Sequence, residues 1–357
     1  MTHVEFGLDT FGDVTVGPDG ELLSQAQVLR NVVAEAELAD RLGLDFFGVG
    51  EHHRHEFAVS APEVVLAAIA ARTERIHLGS AVTVLSSDDP VRVHQRFATL
   101  DGISGGRAEV ILGRGSFIES FPLFGYDLGA YQELFEEKLQ LFAALLPQEP
   151  VTWAGTLRPP IDGLSVYPTV EHGPLKTWVG VGGSPESVVR AAHYGLPLVL
   201  AIIGGSPARF APLADLYRRA LDQFGHPLQP IAIHSPGFVA DTDEEALDTL
   251  WPHYQVIIDR IGRERGWAPT SRAHFEQEAR HGALYAGSVE TVAQKIAGAV
   301  QAIGASRFDL KYSNGTLPHE AMLGSIERYA TQVVPRVREL LAERDAVAGG
   351  EASDAVG

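Results

Sequence analysis

The chain has 357 residues, 45% of them hydrophobic and 21% charged, and a formal net charge of −18. This is the profile of a large globular core, and so acidic a surface disfavours nucleic acid and anionic lipid as partners. Cysteine is absent, which removes disulfides, thiolate metal sites and a cysteine nucleophile; the N-terminus lacks a secretion signal, no apolar run reaches the length of a membrane span, and the expected location is the cytoplasm.

Strand-like and helix-like patterns alternate along the chain. Val4 to Leu8 reads as a strand. Ser24 to Leu42 reads as a helix, with Ser24 as its N-cap and Gly43 as its stop. Phe46 to Val49 is a second strand, and Ala61 to Arg72 a helix with Pro62 in its first turn. Then come a strand from His77 to Leu85, a helix from Pro90 to Ile103, a strand from Ala108 to Leu112 and a helix from Tyr131 to Leu146. Trp178 to Val181 opens a fifth strand, followed by a helix from Ser184 to Tyr194; Leu198 to Ile203 is a sixth, followed by a helix from Ala208 to Phe224. Ile231 to Val239 and Arg307 to Tyr312 are the seventh and eighth strands, and His319 to Leu340 is a closing helix.

Eight strands alternating with helices imply a parallel sheet, and eight is the number that closes an α/β (β/α)₈ TIM barrel. A doubly wound open sheet is the other arrangement the pattern allows. One domain over residues 1–345 is expected, with an excursion at about 150–170, an insertion at about 241–285 and a disordered tail over 346–357, AVAGGEASDAVG.

In such a barrel the active site lies at the C-terminal ends of the strands. Those ends carry EHHRHE (51–56), LGRGSF (112–117), GVGGSPES (180–187) and YSNGTLPHE (312–320). The glycines before Ser184 and Pro185 expose backbone N–H groups at a helix start, a site suited to phosphate. A tight turn with a serine cap fits the same pattern. Arg114 suits bidentate phosphate binding, or a surface salt bridge. His53 and His55 form an HxH pair of the kind that opens metal sites, but strands three to six end without His, Asp or Glu directly at hand, so no metal site is expected. His55 reads as a solvated loop residue and His52 as a pocket residue.

These pieces together resemble the bacterial luciferase-like flavin monooxygenases, from about Val4 to about Arg338. The resemblance is carried by GVGEHH (48–53), IHLGSAVTVLSSDDPVRVHQRFATLD (76–101), GGRAEVILGRGSFIESFPLFGYD (105–127), WVGVGGSPES (178–187) and the PHE…SIExY…VxP close at 318–335. It implies a (β/α)₈ barrel. It implies that His52, with Glu51 beside it, lies at the reactive face of the flavin and acts in acid/base chemistry, for which a histidine suits near-neutral pH. It implies a cis peptide joining Ala81 and Val82 behind the isoalloxazine, with Arg114, Gly182, Gly183, Ser184 and Ser187 at the FMN phosphate. The implied reaction uses reduced FMN from a separate NAD(P)H:flavin reductase and O₂, through a C4a-(hydro)peroxyflavin, to oxygenate a small organic substrate.

One alternative stays within the resemblance, hydride transfer with the deazaflavin F420; another is of a different class, a flavin-binding protein without turnover. Pairing through the helices at 61–72 and 91–103 would make a homodimer. Specificity is expected from 116–127 and from the insertion. Phe117, Phe121, Phe124 and Tyr126 either line an apolar pocket or pack their own loop. The fold does not imply light emission.

Overall fold

A computed structural model describes residues 3–115 and 117–354. Eight strands form its centre: β1 (Glu5–Thr10), β2 (Phe46–Val49), β3 (His77–Ser80), β4 (Ala108–Gly113), β5 (Lys176–Val181), β6 (Leu198–Ala201), β7 (Ile231–Val239) and β8 (Arg307–Lys311). Each pairs in parallel with the next. β8 then pairs with β1, placing Lys311 opposite Asp9 and closing the sheet. That closure is what separates a (β/α)₈ barrel from a doubly wound sheet.

Local chemistry explains most element boundaries. Ser24 caps the Gln25–Arg41 helix by accepting from the N–H of Gln27. Pro62, Pro90 and Pro185 occupy the first turns of their helices, where no amide donor is needed. The excursion is an antiparallel hairpin, Val151–Trp153 with Ile161–Leu164, which buries Val151, Trp153 and Ile161 against Leu141 and Leu145. The insertion consists of the helices Asp243–Arg265 and Arg272–His281. No helix among the described residues is long and apolar enough to cross a membrane.

Two expectations need correction, and one segment gains an assignment. The third strand stops at Ser80 rather than Leu85; the Ala81–Val82 peptide is cis, and Thr83–Val84 resumes pairing against Leu112 and Gly113. Residues 285–306, unassigned above, hold a short strand, Tyr285–Gly287, and the helix Val289–Ile303, which packs between β7 and β8 in the chain order. The last helix, Val334–Asp354, runs through most of the expected loose tail; alanine, frequent there, is the strongest helix former. Residues 355–357 of that tail lie outside the described residues.

Strand parity sorts the side chains into two cores. Phe308 and Leu310 point out beneath the helices with Val110, Leu112 and Val179. Phe46, Ile111, Trp178, Val199 and Ala232 fill the barrel axis. Into that axis also point charges. Arg307 is fully buried; its Nη1 donates to Glu109 Oε2 at 2.7 Å and its Nε to Asp309 Oδ2 at 3.0 Å. Its guanidinium lies 3.8 Å from the Phe46 ring centre and 4.5 Å from that of Trp178. Glu109 also accepts from Lys176 at 2.6 Å and from the Trp178 indole at 2.8 Å. Burial alone would raise the Glu109 carboxyl; Arg307, His77 and Lys176 outweigh it and hold the group far below the usual carboxylate range.

Removing one partner of such a network strands a buried charge. Arg307→Met is therefore expected to cost about 3–5 kcal/mol in chemical denaturation. A loss under ~1 kcal/mol, within the range of surface pairs, would show that the network does not hold the barrel.

Candidate active site

A cavity of about 910 Å³ opens at the C-terminal ends of the strands. That volume lies within the range of pockets that take cofactors and substrates. Glu51, His52, Ala81, Val82, Arg114 and Gly182 all line it. Gly183, Ser184 and Ser187 are not part of the lining; they follow Gly182 in the turn just beyond it.

The EHHRHE segment divides its residues among separate tasks. The N–H of His52 donates to Val59 O at 3.0 Å, which fixes the backbone after β2. Its ring is caged by Phe11, Phe57 and Phe117, at 4.8, 4.6 and 4.7 Å between centres. Nδ1 lies 3.5 Å from Glu119 Oε1. His53 turns the other way, onto Phe124 at 4.9 Å, and burial depresses its basicity. The His55 side chain is 70% exposed. The three rings thus meet three different surroundings instead of converging on one ion. Arg54 and Glu56 tie this loop to the insertion: Arg54 pairs with Glu264, and Arg260 Nε meets Glu56 Oε1 at 2.6 Å.

Glu51 has a positioning contact as well as a cavity face. Its Oε1 accepts from the N–H of Val84 at 2.7 Å, tying the end of β2 to the segment after the cis bond. That segment turns Val82 toward the barrel axis, where neighbouring backbones have no room to spare. A Cβ added at Gly113 would meet Val82 Cγ2 at 2.5 Å, and one at Gly180 would meet Val82 Cγ1 at 3.1 Å. The Val82 wall therefore requires glycine on β4 and leaves little room for a side chain on β5.

Arg114 makes no hydrogen bond or ion pair among the described residues; its guanidinium lies 5.3 Å from the ring centre of Tyr131. The Tyr131 hydroxyl donates to Gly115 O at 2.7 Å and so steadies the loop. A guanidinium at a cavity rim with no ion pair among the described residues is chemically suited to an anion, and it also lowers the Glu186 carboxyl through space. The nearby Pro185–His193 helix begins with Ser184, whose Oγ accepts from the N–H of Ser187 and donates to Glu186 at 2.7 Å. Arg190 Nη1 reaches Ser187 Oγ at 3.3 Å. Open space stands where a Gly182 side chain would be. An apolar wall of Ala81, Val82, Ile111 and Val199, an unpaired arginine and a helix start fit a flat ring carrying a phosphate.

The cavity also contains residues that the sequence motifs did not single out. Asp9 from β1, His234 from β7, and Asp309 and Lys311 from β8 form its floor. Each sits at an inward position of an otherwise apolar strand, which is the signal that marks them in the sequence. Tyr254, Ile257, Ile258, Ile261 and Trp267 of the insertion line the cavity as well. Of the four loop aromatics, only Phe117 lines the cavity. Phe121 is buried against Tyr131 at 5.5 Å, Phe124 is half exposed, and Tyr126 lies under Lys138 at 3.9 Å.

Burial pushes the Glu51 carboxyl up to about 8, with Asp88 and Glu63 adding to it against the Val84 N–H. The folded chain then keeps a proton that the unfolded chain releases near pH ~4.3. Native stability falls as pH rises through that window. Glu51→Gln remains neutral and keeps the acceptor for Val84. Relative to the native chain, the variant is expected to gain stability steadily from about pH 5 to pH 8 in denaturant titrations. A difference that does not change with pH would contradict this.

Comparison with known proteins places the chain. The family model described as luciferase-like monooxygenase matches residues 10–307. The 4-hydroxyprotoasukamycin monooxygenase of Streptomyces nodosus subsp. asukaensis is 29% identical over 327 residues, covering 84% of this chain and 85% of that one. Among solved structures, the monooxygenase RslO1 from Streptomyces bottropensis superposes with a TM-score of 0.79 at 24% identity, over 93% of this chain and 99% of that one. The oxygenating constituent of the 3,6-diketocamphane monooxygenase of Pseudomonas putida, a type II Baeyer-Villiger enzyme in complex with FMN, gives a TM-score of 0.75 at 19% identity, over 94% and 99%. The two structures speak for the fold, and the family match over most of the chain gives its membership. With the closed barrel, the Ala81–Val82 bulge and the cavity above them, this chain belongs to the luciferase-like monooxygenase family.

Proposed function

We propose that the chain is an FMN-dependent monooxygenase, which takes reduced FMN from a separate NAD(P)H:flavin reductase, together with O₂, and places one oxygen atom on a small organic substrate. The observation that carries this reading is Arg114, unpaired at the cavity rim beside the Gly182–Ser187 turn. The family relation and the FMN held by the Pseudomonas putida protein support it.

Bound reduced flavin supplies the two electrons that O₂ activation needs. The chain's residues do the rest. Arg114 and the N-terminus of the Pro185–His193 helix hold the phosphate, with Gly183, Ser184 and Ser187 shaping that turn. Ala81 and Val82 support the ring from one side. Phe11, Phe57 and Phe117 keep water from His52, which holds or delivers a proton at the open face. Glu51 fixes the bulge through Val84 and stays protonated below about pH 8. The same reading takes the chain as a cytoplasmic homodimer paired through the Pro62–Ala70 and Pro90–Ser104 helices, where Val64 and Ile103 stand exposed.

Absorbance titration with FMN and with F420 tests the cofactor. FMN is expected to bind, and Arg114→Ala to weaken it by roughly 10–100-fold, the worth of a charge-assisted contact. F420 binding without FMN binding would move the function to hydride transfer. His52→Ala is expected to keep FMN and to lower oxygenation by about 10²–10⁴ in a reductase-coupled assay. Undiminished turnover in that variant would remove His52 from the chemistry, and bound flavin without oxygen uptake on any substrate would favour a non-catalytic binder.

A further inference from the structure

We propose that a small buried cavity beside the barrel mouth holds one water and completes a proton relay, from solvent at His319 to Asp13 on the wall of the active-site cavity.

The small cavity is the first argument. It measures about 10 Å³ and is lined by Thr10, Asp13, Thr15, Asn31, Glu35 and Ser313, with Val32 among its apolar residues. That is about the room one water needs, and the wall offers it ample polar partners. Thr15 is 1% exposed, and its Oγ1 is buried with no partner among the described residues. A hydroxyl left so is costly, and a water here satisfies it. Asp13 lines this cavity and the active-site cavity alike.

Hydrogen bonds leading away on both sides are the second. On the solvent side, Glu35 is 1% exposed, on the helix face that also buries Val28, Val32 and Ala36. Its Oε2 accepts from the Tyr312 hydroxyl, and its Oε1 meets His319 Nδ1 at 2.7 Å. The His319 side chain is 24% exposed. On the active-site side, Ser313 Oγ donates to Asp13 Oδ2 at 2.6 Å and lies 2.7 Å from Thr10 Oγ1. Serine has one hydroxyl proton, spent here on Asp13, so Thr10 is the donor to Ser313. The Gly12 N–H donates to Thr10 Oγ1 at 2.9 Å, in keeping with that direction. Both hydroxyls thus pass a proton toward Asp13, whose Oδ2 lies 3.1 Å from Lys311 Nζ. Lys311 also lines the active-site cavity, so the pair holds the proton at its wall.

The reaction supplies the third. Its balance is FMNH⁻ + O₂ + S + H⁺ → FMN + SO + H₂O, where S is the substrate, and one proton enters from solvent in each turnover. Phe11, Phe57 and Phe117, which keep water from His52, also obstruct direct entry of that proton. The relay provides the route: His319 takes up a proton from solvent and passes one to Glu35, then the water, Thr10, Ser313 and Asp13 each accept a proton and release one.

The inference rests on the oxygenase reading for its need of a proton, whereas the water site does not. The first test is a crystal structure of the flavin-free chain at atomic resolution. A water is expected in the small cavity, bonded to Glu35 and to Thr10, Asp13 or Ser313, and it should be gone in Val32→Ile, which enlarges an apolar wall residue and keeps every polar group. A dry native cavity would overturn the proposal. The second test mixes the complex of reduced FMN with O₂ in weak buffer containing phenol red, without substrate, so that FMNH⁻ + O₂ + H⁺ → FMN + H₂O₂ still draws one proton from solvent. Proton uptake is expected to slow at least tenfold in His319→Ala and in Val32→Ile, with FMN affinity kept within twofold. Added imidazole should restore His319→Ala, where it replaces the lost entry group, and not Val32→Ile, where the break lies further in. Native uptake rates in both variants would overturn the relay, as would a loss in His319→Ala that imidazole leaves untouched. A native chain that binds no FMN defeats the proposed function instead, and the crystal structure then decides the water site by itself.

Discussion

Everything at the mouth of this barrel depends on a charged residue buried at its axis. Arg307 on β8 reaches across to Glu109 on β4 and sits between the rings of Phe46 on β2 and Trp178 on β5. One guanidinium thereby ties strands from opposite sides of the sheet. Continuum reasoning makes such a network a weak source of net stability, because desolvation opposes the Coulomb gain. With Arg307 fixed, Asp309 and Lys311 follow on the same face at successive inward positions, and they reach the cavity floor at defined heights.

The other half of the mouth is set by shape. Val82 can turn inward only because β4 and β5 carry Gly113 and Gly180 where it passes. Glu51 holds the segment after it through the Val84 amide. The result is a cavity with an apolar wall on one side and a hydrogen-bonding floor on the other, roofed by the helical insertion after β7. The His52 cage joins the halves: Phe11 touches both His52 and His234, at 4.8 and 6.3 Å. A shift of that one ring would be felt at both histidines.

Much of this was legible in the sequence, for identifiable reasons. Strands such as Phe46–Val49 and Ile231–Val239 are short apolar runs bounded by clear turn signals, and they occur where the pattern puts them. The motif residues at strand ends were legible because barrel chemistry concentrates there. The third strand was overextended because IHLGSAVTVL reads as one apolar run, and hydrophobicity alone carries no mark of a cis bond at Ala81–Val82. The floor was missed for a different reason. Asp9, His234 and Asp309 lie within strands, tens to hundreds of residues apart, and only closure of β8 onto β1 brings them together. Isolated charges at alternate strand positions, as in RFDLK, were the available signal. The insertion's role as a roof was equally hidden, since its amphipathic helices carry no sign of which strand ends they cover.

The most direct test of the account is a crystal structure of the chain with FMN. The account predicts the isoalloxazine against Ala81 and Val82 and the phosphate between Arg114 and the Ser184–Ser187 turn, with the half above His234 still open. Flavin lying across the His234 floor, or a phosphate held away from Arg114, would contradict both the division of the cavity and the function built on it.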